Sequence, residues 1–361
     1  MSKRKWANLD LRRPWRSRCV LWARQRPVDA PRGVARWRRA WSVAIAVVSA
    51  SSFSPVRAKG VAPPGPPLES DSVAMETALG CPDGISSDPV RPLVLLVQGT
   101  SSTAAEDFGF GLVHVLRQAG IDWCVVELPA RATVDIQISA EYVVHAVRAL
   151  HDRTARKVSL MGVSQGALEV RWAVRWWPDV RAAVDDVVSF VGPNRGSVSA
   201  NLVLCGKGEC IPPEWQWSRG SAFIEALNRV SAPEGPSYTA IYSQTDWVIQ
   251  PSWPESQAAG AIDGATNIVV QDICPGRVVD HVQSLFDAVF AAAFVDALKH
   301  PGPADPARID RAVCSQVFAP PIDPVMATVA ITTIYANAFA TTNAAPKTRR
   351  EPPLRPFSRH G

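Results

Sequence analysis

Between residues 91 and 270, short apolar runs alternate with segments of helical period, and this alternation constrains the fold more than any other feature. The runs 91–97 (RPLVLLV), 123–128 (WCVVEL), 157–161 (KVSLM), 184–191, 238–242 and 267–270 read as buried strands, several of them closed by turn residues. Between them, 110–118 places Leu112, Val115 and Leu116 on one face. The stretch 140–151 does the same with Tyr142, Val143, Ala146, Val147 and Leu150, and 168–177 continues as a helix until Pro178 stops it. Strands alternating with helices predict an α/β fold, a mostly parallel central sheet with helices on both faces. Ligands of such sheets bind at the carboxyl ends of the strands, so the loops that follow the strands are where chemistry is expected.

One such loop stands out. Gly162-Val-Ser-Gln-Gly166 closes a strand and opens a helix, the setting in which G-x-S-x-G presents a nucleophile. The demand is steric. The serine must stand on a sharp, strained turn, and a side chain two residues to either side would collide with neighbouring backbone. Ser164 is therefore the candidate nucleophile, and a serine hydroxyl needs a base to take its proton.

Where such a turn carries a triad, the chain order is serine, acid, histidine. His281, His300 and His360 lie far enough beyond Ser164. His360 is in a basic tail and His300 ends a helix, which suits a solvated side chain. His281 follows the Cys-Pro-Gly turn and is expected to begin a long apolar helix, a good place for a base. The acid should sit in a loop after a strand. Asp246 qualifies, Asp263 and Asp272 are alternatives, and Asp280 adjoins His281 too closely to reach back to its ring. An oxyanion site needs donors aimed at developing negative charge. One is expected from the amide of Gln165, the other from Gln98-Gly-Thr-Ser-Ser-Thr103 after the first strand.

The charge is uneven. The whole chain carries +5, but residues 1–58 alone carry +12, leaving −7 on the rest. A basic folded face for nucleic acid is therefore not expected. Residues 41–53 (WSVAIAVVSASSF) follow Arg38-Arg39 as a short apolar core with small residues after it. This is a secretory signal pattern, too short for a spanning helix, with cleavage expected after Ala50 or Ala58 and a start near Val34. Expected boundaries are a basic leader with signal over 1–58, a Pro/Gly-rich extended linker over 59–73, a catalytic domain over 74–346 and a basic, proline-rich tail over 347–361.

At this level of detail the chain resembles the Candida antarctica lipase B family of α/β-hydrolases, including its bacterial relatives. The matching segments are 92–103 (PLVLLVQGTSST), 137–146 (QISAEYVVHA), Ser164-Gln-Gly166, 215–221 (WQWSRGS), 241–251 (IYSQTDWVIQP) and Val279-Asp-His281. The resemblance implies the α/β-hydrolase fold, with Ser164 as nucleophile, Asp246 as acid and His281 as base. It implies an oxyanion hole from Thr100, by amide and hydroxyl, and from the Gln165 amide. It also implies disulfides Cys81–Cys124 and Cys274–Cys314; the family's third pair has no counterpart. Cys205 and Cys210 are additional, lie where the family has its small lid, and are expected to bridge each other. The remaining cysteine, Cys19, lies in the leader, so a mature chain would hold three bridges.

Three positions depart from the family. Val163 replaces a tryptophan that walls one pocket, Asn194 an aspartate near the nucleophile, and Trp217 a glutamine by the site. Val163, Asn194, Trp217, Val248 and Ile249 are expected to line the pocket, and residues 325–340 are expected either to line it or to be plain core. The implied function is a secreted lipase or carboxylesterase, with an acyltransferase and a non-catalytic binding protein as the competing readings. No cofactor and no metal are expected. The expected partners are an ester or lipid substrate and the lipid–water interface, with no nucleic acid, and the chain is expected to be monomeric.

Overall fold

The computed structural model describes residues 62–359. The leader with its signal pattern, Cys19 and His360 lie outside the described residues. The strands are β1 (Leu79–Gly80), β2 (Leu93–Val97), β3 (Asp122–Val126), β4 (Val158–Val163), β5 (Val184–Phe190), β6 (Ser237–Tyr242) and β7 (Thr266–Val269). The helices are α1 (Ser72–Ala78), α2 (Ala104–Phe108), α3 (Leu112–Ala119), α4 (Ile136–Thr154), α5 (Gly166–Trp176), α6 (Pro178–Ala183), α7 (Pro212–Gln216), α8 (Ala222–Asn228), α9 (Val270–Ile273), α10 (Ala288–Lys299) and α11 (Pro324–Ala344).

The seven strands form one sheet in the order β1-β3-β2-β4-β5-β6-β7. All pairings are parallel except the two-residue edge strand β1, which runs antiparallel to β3. Every residue of β2 and β4 is buried, as expected of a sheet covered on both sides. Side chains alternate across the strand. Leu93, Leu95 and Val97 of β2 join the core under α4 and α5, while Val94 and Leu96 join the opposite core under α3 and α10. In that second core Phe190 meets Phe290 and Phe294 edge-on, with centroids 5.3 and 5.4 Å apart. Each such ring contributes about 1.5–3 kcal/mol through burial alone.

Local signals set the helix boundaries. Thr103 and Glu106 form a reciprocal capping box that starts α2 directly after the loop following β2. Asp135 caps α4 by accepting the Gln137 amide, and Gly120 ends α3 at φ 69°. One expectation is corrected here. His281 does not begin the apolar helix: it lies in a turn, and α10 starts at Ala288. The reason is Asp287, whose Oδ1 accepts the Val289 and Phe290 amides and whose Oδ2 accepts Arg277 Nε at 2.7 Å. That cap fixes the start and leaves His281 free of helical geometry.

Both flanking segments lie on the domain. In 62–71, Trp177 Nε1 donates to Pro66 O at 2.8 Å, and Glu141 Oε2 accepts the Glu69 and Ser70 amides. In the tail, Thr348 pairs with Cys210, Glu351 accepts the first two amides of α8, and Phe357 packs edge-on against Trp176 and Trp177. Disulfides join Cys81–Cys124, Cys205–Cys210 and Cys274–Cys314.

The tightest packing surrounds the β4–α5 turn. A Cβ on Gly162 would lie 2.2 Å from Gly166 O, and one on Gly166 2.4 Å from Val97 O. Gly166→Ala should therefore destabilise by about 2 kcal/mol or more, read as a lowered midpoint in thermal unfolding. Buried carboxyls make a second expectation. Desolvation pushes Asp107 and Asp186 up to about 6, Glu214 to about 7 and Glu169 to about 8. Each binds its proton more tightly folded than unfolded. Their contribution to stability is thus full below the unfolded carboxylate pKa and is lost as pH rises through the folded values. Tm should fall from about pH 5 to about pH 8, and Glu169→Gln, which removes the largest of these shifts, should flatten that slope.

Candidate active site

Four strands deliver the site at their carboxyl ends. Ser164 follows β4 in the left-handed region at φ 53°, and its amide donates to Phe190 O at 2.8 Å. A non-glycine residue pays for that conformation only where surroundings impose it, and here the neighbouring strand and the two glycines do so. His281 follows β7 and Asp246 follows β6. His281 Nε2 lies 2.9 Å from Ser164 Oγ, and His281 Nδ1 lies 2.8 Å from Asp246 Oδ2. Asp246 is buried, and its Oδ1 accepts the amides of Val248 and Ile249 at 2.7 and 3.0 Å. Those bonds orient the carboxylate so that one oxygen faces the imidazole. With Nδ1 donating to Asp246, Nε2 carries the lone pair that faces the serine.

The alternative acids and histidines are committed elsewhere. Asp263 pairs with Arg195, Asp272 is exposed on α9, and Asp280 Oδ1 accepts the Gln283 amide and the Tyr335 hydroxyl. His300 Nδ1 pairs with Asp296 at the end of α10.

The loop after β2 closes over the serine. A Cβ on Gly99 would come within 3.3 Å of Ser164 Cβ, so glycine permits this approach. Thr100 Oγ1 donates to Gln165 Oε1 at 2.6 Å, and Gln165 Nε2 donates to Glu169 Oε1 at 2.7 Å. Thr100 and Gln165 are thus held together by a buried chain that ends on α5. Gln98 anchors the base of the loop through Ser102 O and Glu127 Oε1, both at 2.9 Å. Asp107, which sequence reasoning missed, ties its rim: Oδ2 accepts the Gly99 amide at 2.8 Å and Oδ1 the Ser102 hydroxyl at 2.5 Å. Burial raises its carboxyl to about 6 against the pull of those two bonds.

Above the serine opens a cavity of about 430 Å³. Val163, Trp217 and Val248 line it as expected. Asn194 and Ile249 do not. Asn194 is fully buried behind the wall, where its Nδ2 donates to Ser189 Oγ and Gly260 O. Ile249, whose amide also donates to Asp246, is buried outside the lining. Helix α11 contributes Ile334, Tyr335, Ala338, Phe339 and Thr342 to the lining, so the stretch 325–340 is pocket wall. It also packs core, through Ala327, Ala330 and Ile334. The helix is latched to the site by Ser101–Thr342, Arg131–Thr341 and Asn337–Glu106 hydrogen bonds, and Trp247 stacks on Tyr335. Leu204, beside the Cys205–Cys210 bridge, and Glu214 on α7 complete the wall. Glu214 carried no signal in the sequence, since a glutamate three residues into a helix after Pro-Pro reads as an ordinary cap.

Comparison with known proteins follows this geometry. No protein-family model matches the chain. Lipase B of Pseudozyma antarctica is 29% identical over 299 residues, covering 81% of this chain and 86% of that protein. The crystal structure of Aspergillus fumigatus lipase B superposes with a TM-score of 0.77 at 28% identity, covering 85% of this chain and 75% of that one. The chain therefore has the α/β-hydrolase fold, and its resemblance to the lipase B family is borne out in both sequence and structure over most of its length.

Proposed function

We propose that the protein is an exported serine ester hydrolase, a lipase or carboxylesterase that works through an acyl-enzyme. The observation that carries this reading is the unbroken relay Ser164–His281–Asp246, with contacts of 2.9 and 2.8 Å, at the floor of a mostly apolar cavity. Ser164 Oγ attacks the ester carbonyl carbon as its proton passes to His281 Nε2. Asp246 holds the tautomer and stabilises the imidazolium. The carbonyl oxygen becomes an oxyanion, held by the amides of Thr100 and Gln165 and by the Thr100 hydroxyl, which turns from Gln165 Oε1 to reach it. The intermediate collapses, the C–O bond to the alcohol breaks, and the leaving oxygen takes the proton from His281. Water then repeats the sequence, its proton going to His281, and releases the acid with Ser164 restored.

The names of the similar proteins, lipase B in both cases, support an ester substrate. Three disulfides among the described residues suit an oxidising compartment and thus export. An acyltransferase would share this relay and prefer an alcohol acceptor to water, which comparing hydrolysis with alcoholysis in water separates.

The test is an ester chain-length series, with soluble and emulsified substrates, on the purified mature protein. Wild type should hydrolyse esters and be labelled by a fluorophosphonate, while Ser164→Ala should do neither. Equal labelling of both proteins would sink the catalytic reading and favour a binding protein on this scaffold. Asp246→Asn should lower kcat on the order of 10⁴-fold by misdirecting the histidine. Thr100→Val should lower kcat about 10²-fold with KM little changed, because the hydroxyl acts on the oxyanion and not on the bound ester.

A further inference from the structure

Of the two carboxyls outside the relay that line the cavity, Asp107 braces the loop after β2, and Glu214 has no part in the proposed mechanism. Glu214 is 4% exposed and forms part of the cavity wall. Its single hydrogen bond is a long one, the Ile211 amide donating to Oε2 at 3.3 Å. Among the described residues nothing donates to Oε1, and no cation lies within ion-pair distance, Lys347 acting only from farther away. Asp107 and Asp186 are better served, each accepting side-chain hydroxyls, and Glu169, whose Oε2 is also unpartnered, does not line the cavity. Capping α7 does not require a buried carboxyl, because a cap residue at a helix start is ordinarily solvated.

A second orphan stands one turn away. Trp217 is 5% exposed and lines the same cavity, and its indole Nε1 is buried with no acceptor among the described residues. Residues three apart across a helical turn share a face. The two groups differ in access: Trp217 Nε1 is sealed from the cavity, so the acceptor open to a ligand is Glu214. Burying an acceptor without a full set of donors is unfavourable, and a substrate hydroxyl supplies one by donating to the glutamate.

We infer that this wall reads a hydroxyl group on the substrate, so that the enzyme selects esters whose otherwise apolar chain carries a hydroxyl. Glu214 is the determinant. The inference rests on the ester hydrolase reading above. Burial raises Glu214 to about 7, and in either protonation state it accepts a hydrogen bond.

The experiment measures kcat/KM for matched ester pairs that differ only in a hydroxyl. One arm places it on the acyl chain, comparing ethyl hydroxyalkanoates with ethyl alkanoates. The other places it on the alcohol, comparing alkanediol monoesters with simple alkyl esters. Wild type should favour the hydroxyl member by about tenfold or more in one arm, which identifies the source. Glu214→Leu should erase most of that preference. Glu214→Gln, which keeps an acceptor, should retain it within about threefold. Fluorophosphonate labelling of Ser164 reports whether each variant has folded, and the Gln variant carries the test should the Leu variant not fold. A wild type indifferent to the hydroxyl in both arms, or a folded Glu214→Leu with the wild-type preference, overturns the inference while leaving the hydrolase reading intact. A wild type that neither hydrolyses esters nor takes the probe overturns both.

Discussion

Everything at the site depends on how closely three backbones approach one another at the end of β4. Gly166 sits against the carbonyls of Val97 and Gln98, and Gly162 against Gly166, at distances no side chain could occupy. That crowding lets α5 start directly behind Ser164 and forces the serine into the left-handed region. Two consequences follow from one constraint. The hydroxyl is lifted clear of the sheet, toward His281. The Gln165 side chain, at the first turn of α5, comes under the loop that follows β2 and binds Thr100.

The surrounding polar groups are arranged to hold that loop. Gln98 fixes its base, Asp107 its rim, and the Thr100–Gln165–Glu169 chain its centre. Most of these groups are buried, so their hydrogen bonds are formed in a setting where leaving them unmade is costly. The buried carboxyls among them are pushed toward neutrality, which lets acidic side chains brace the loop after β2 without adding full negative charge beside Ser164. Helix α11 serves the same end from outside. Its polar residues latch onto Ser101, Arg131 and Glu106 while its apolar residues wall the cavity. Arg131 Nη2 also reaches Glu106, so helix, loop and capping box form one connected unit.

Much of this was legible in the residues. The alternation of β-rich runs with helical segments predicted the parallel sheet, because buried parallel strands leave continuous apolar runs. The Gly-x-Ser-x-Gly turn located the serine, because its steric demand is local. His281 followed from chain order and its loop, while Asp246 was one of three candidate acids that the family resemblance separated; the two meet across 35 residues at hydrogen-bonding distance. What failed were statements about which way a side chain faces. Asn194 and Ile249 lie near the site in sequence terms yet do not line the cavity; both are buried, and Asn194 is tied to Gly260, 66 residues on. The start of α10 was misplaced because Asp287 needed Arg277, ten residues earlier, to make it the decisive cap.

The sequence by itself therefore determined the layers of the fold, the turn that presents Ser164, the order of its partners and the split between a basic leader and an acidic domain. Each is a matter of local sterics, period or composition. Only the tertiary structure decided which residues enclose the cavity. Asp107, Leu204 and Glu214 come to it from three separate segments, and nothing in their own neighbourhoods marks them; for α11 the residues left wall and core equally open. A pocket wall is made by packing between distant elements, and a residue such as Glu214 reads as an exposed cap until α7 is seen to be turned inward.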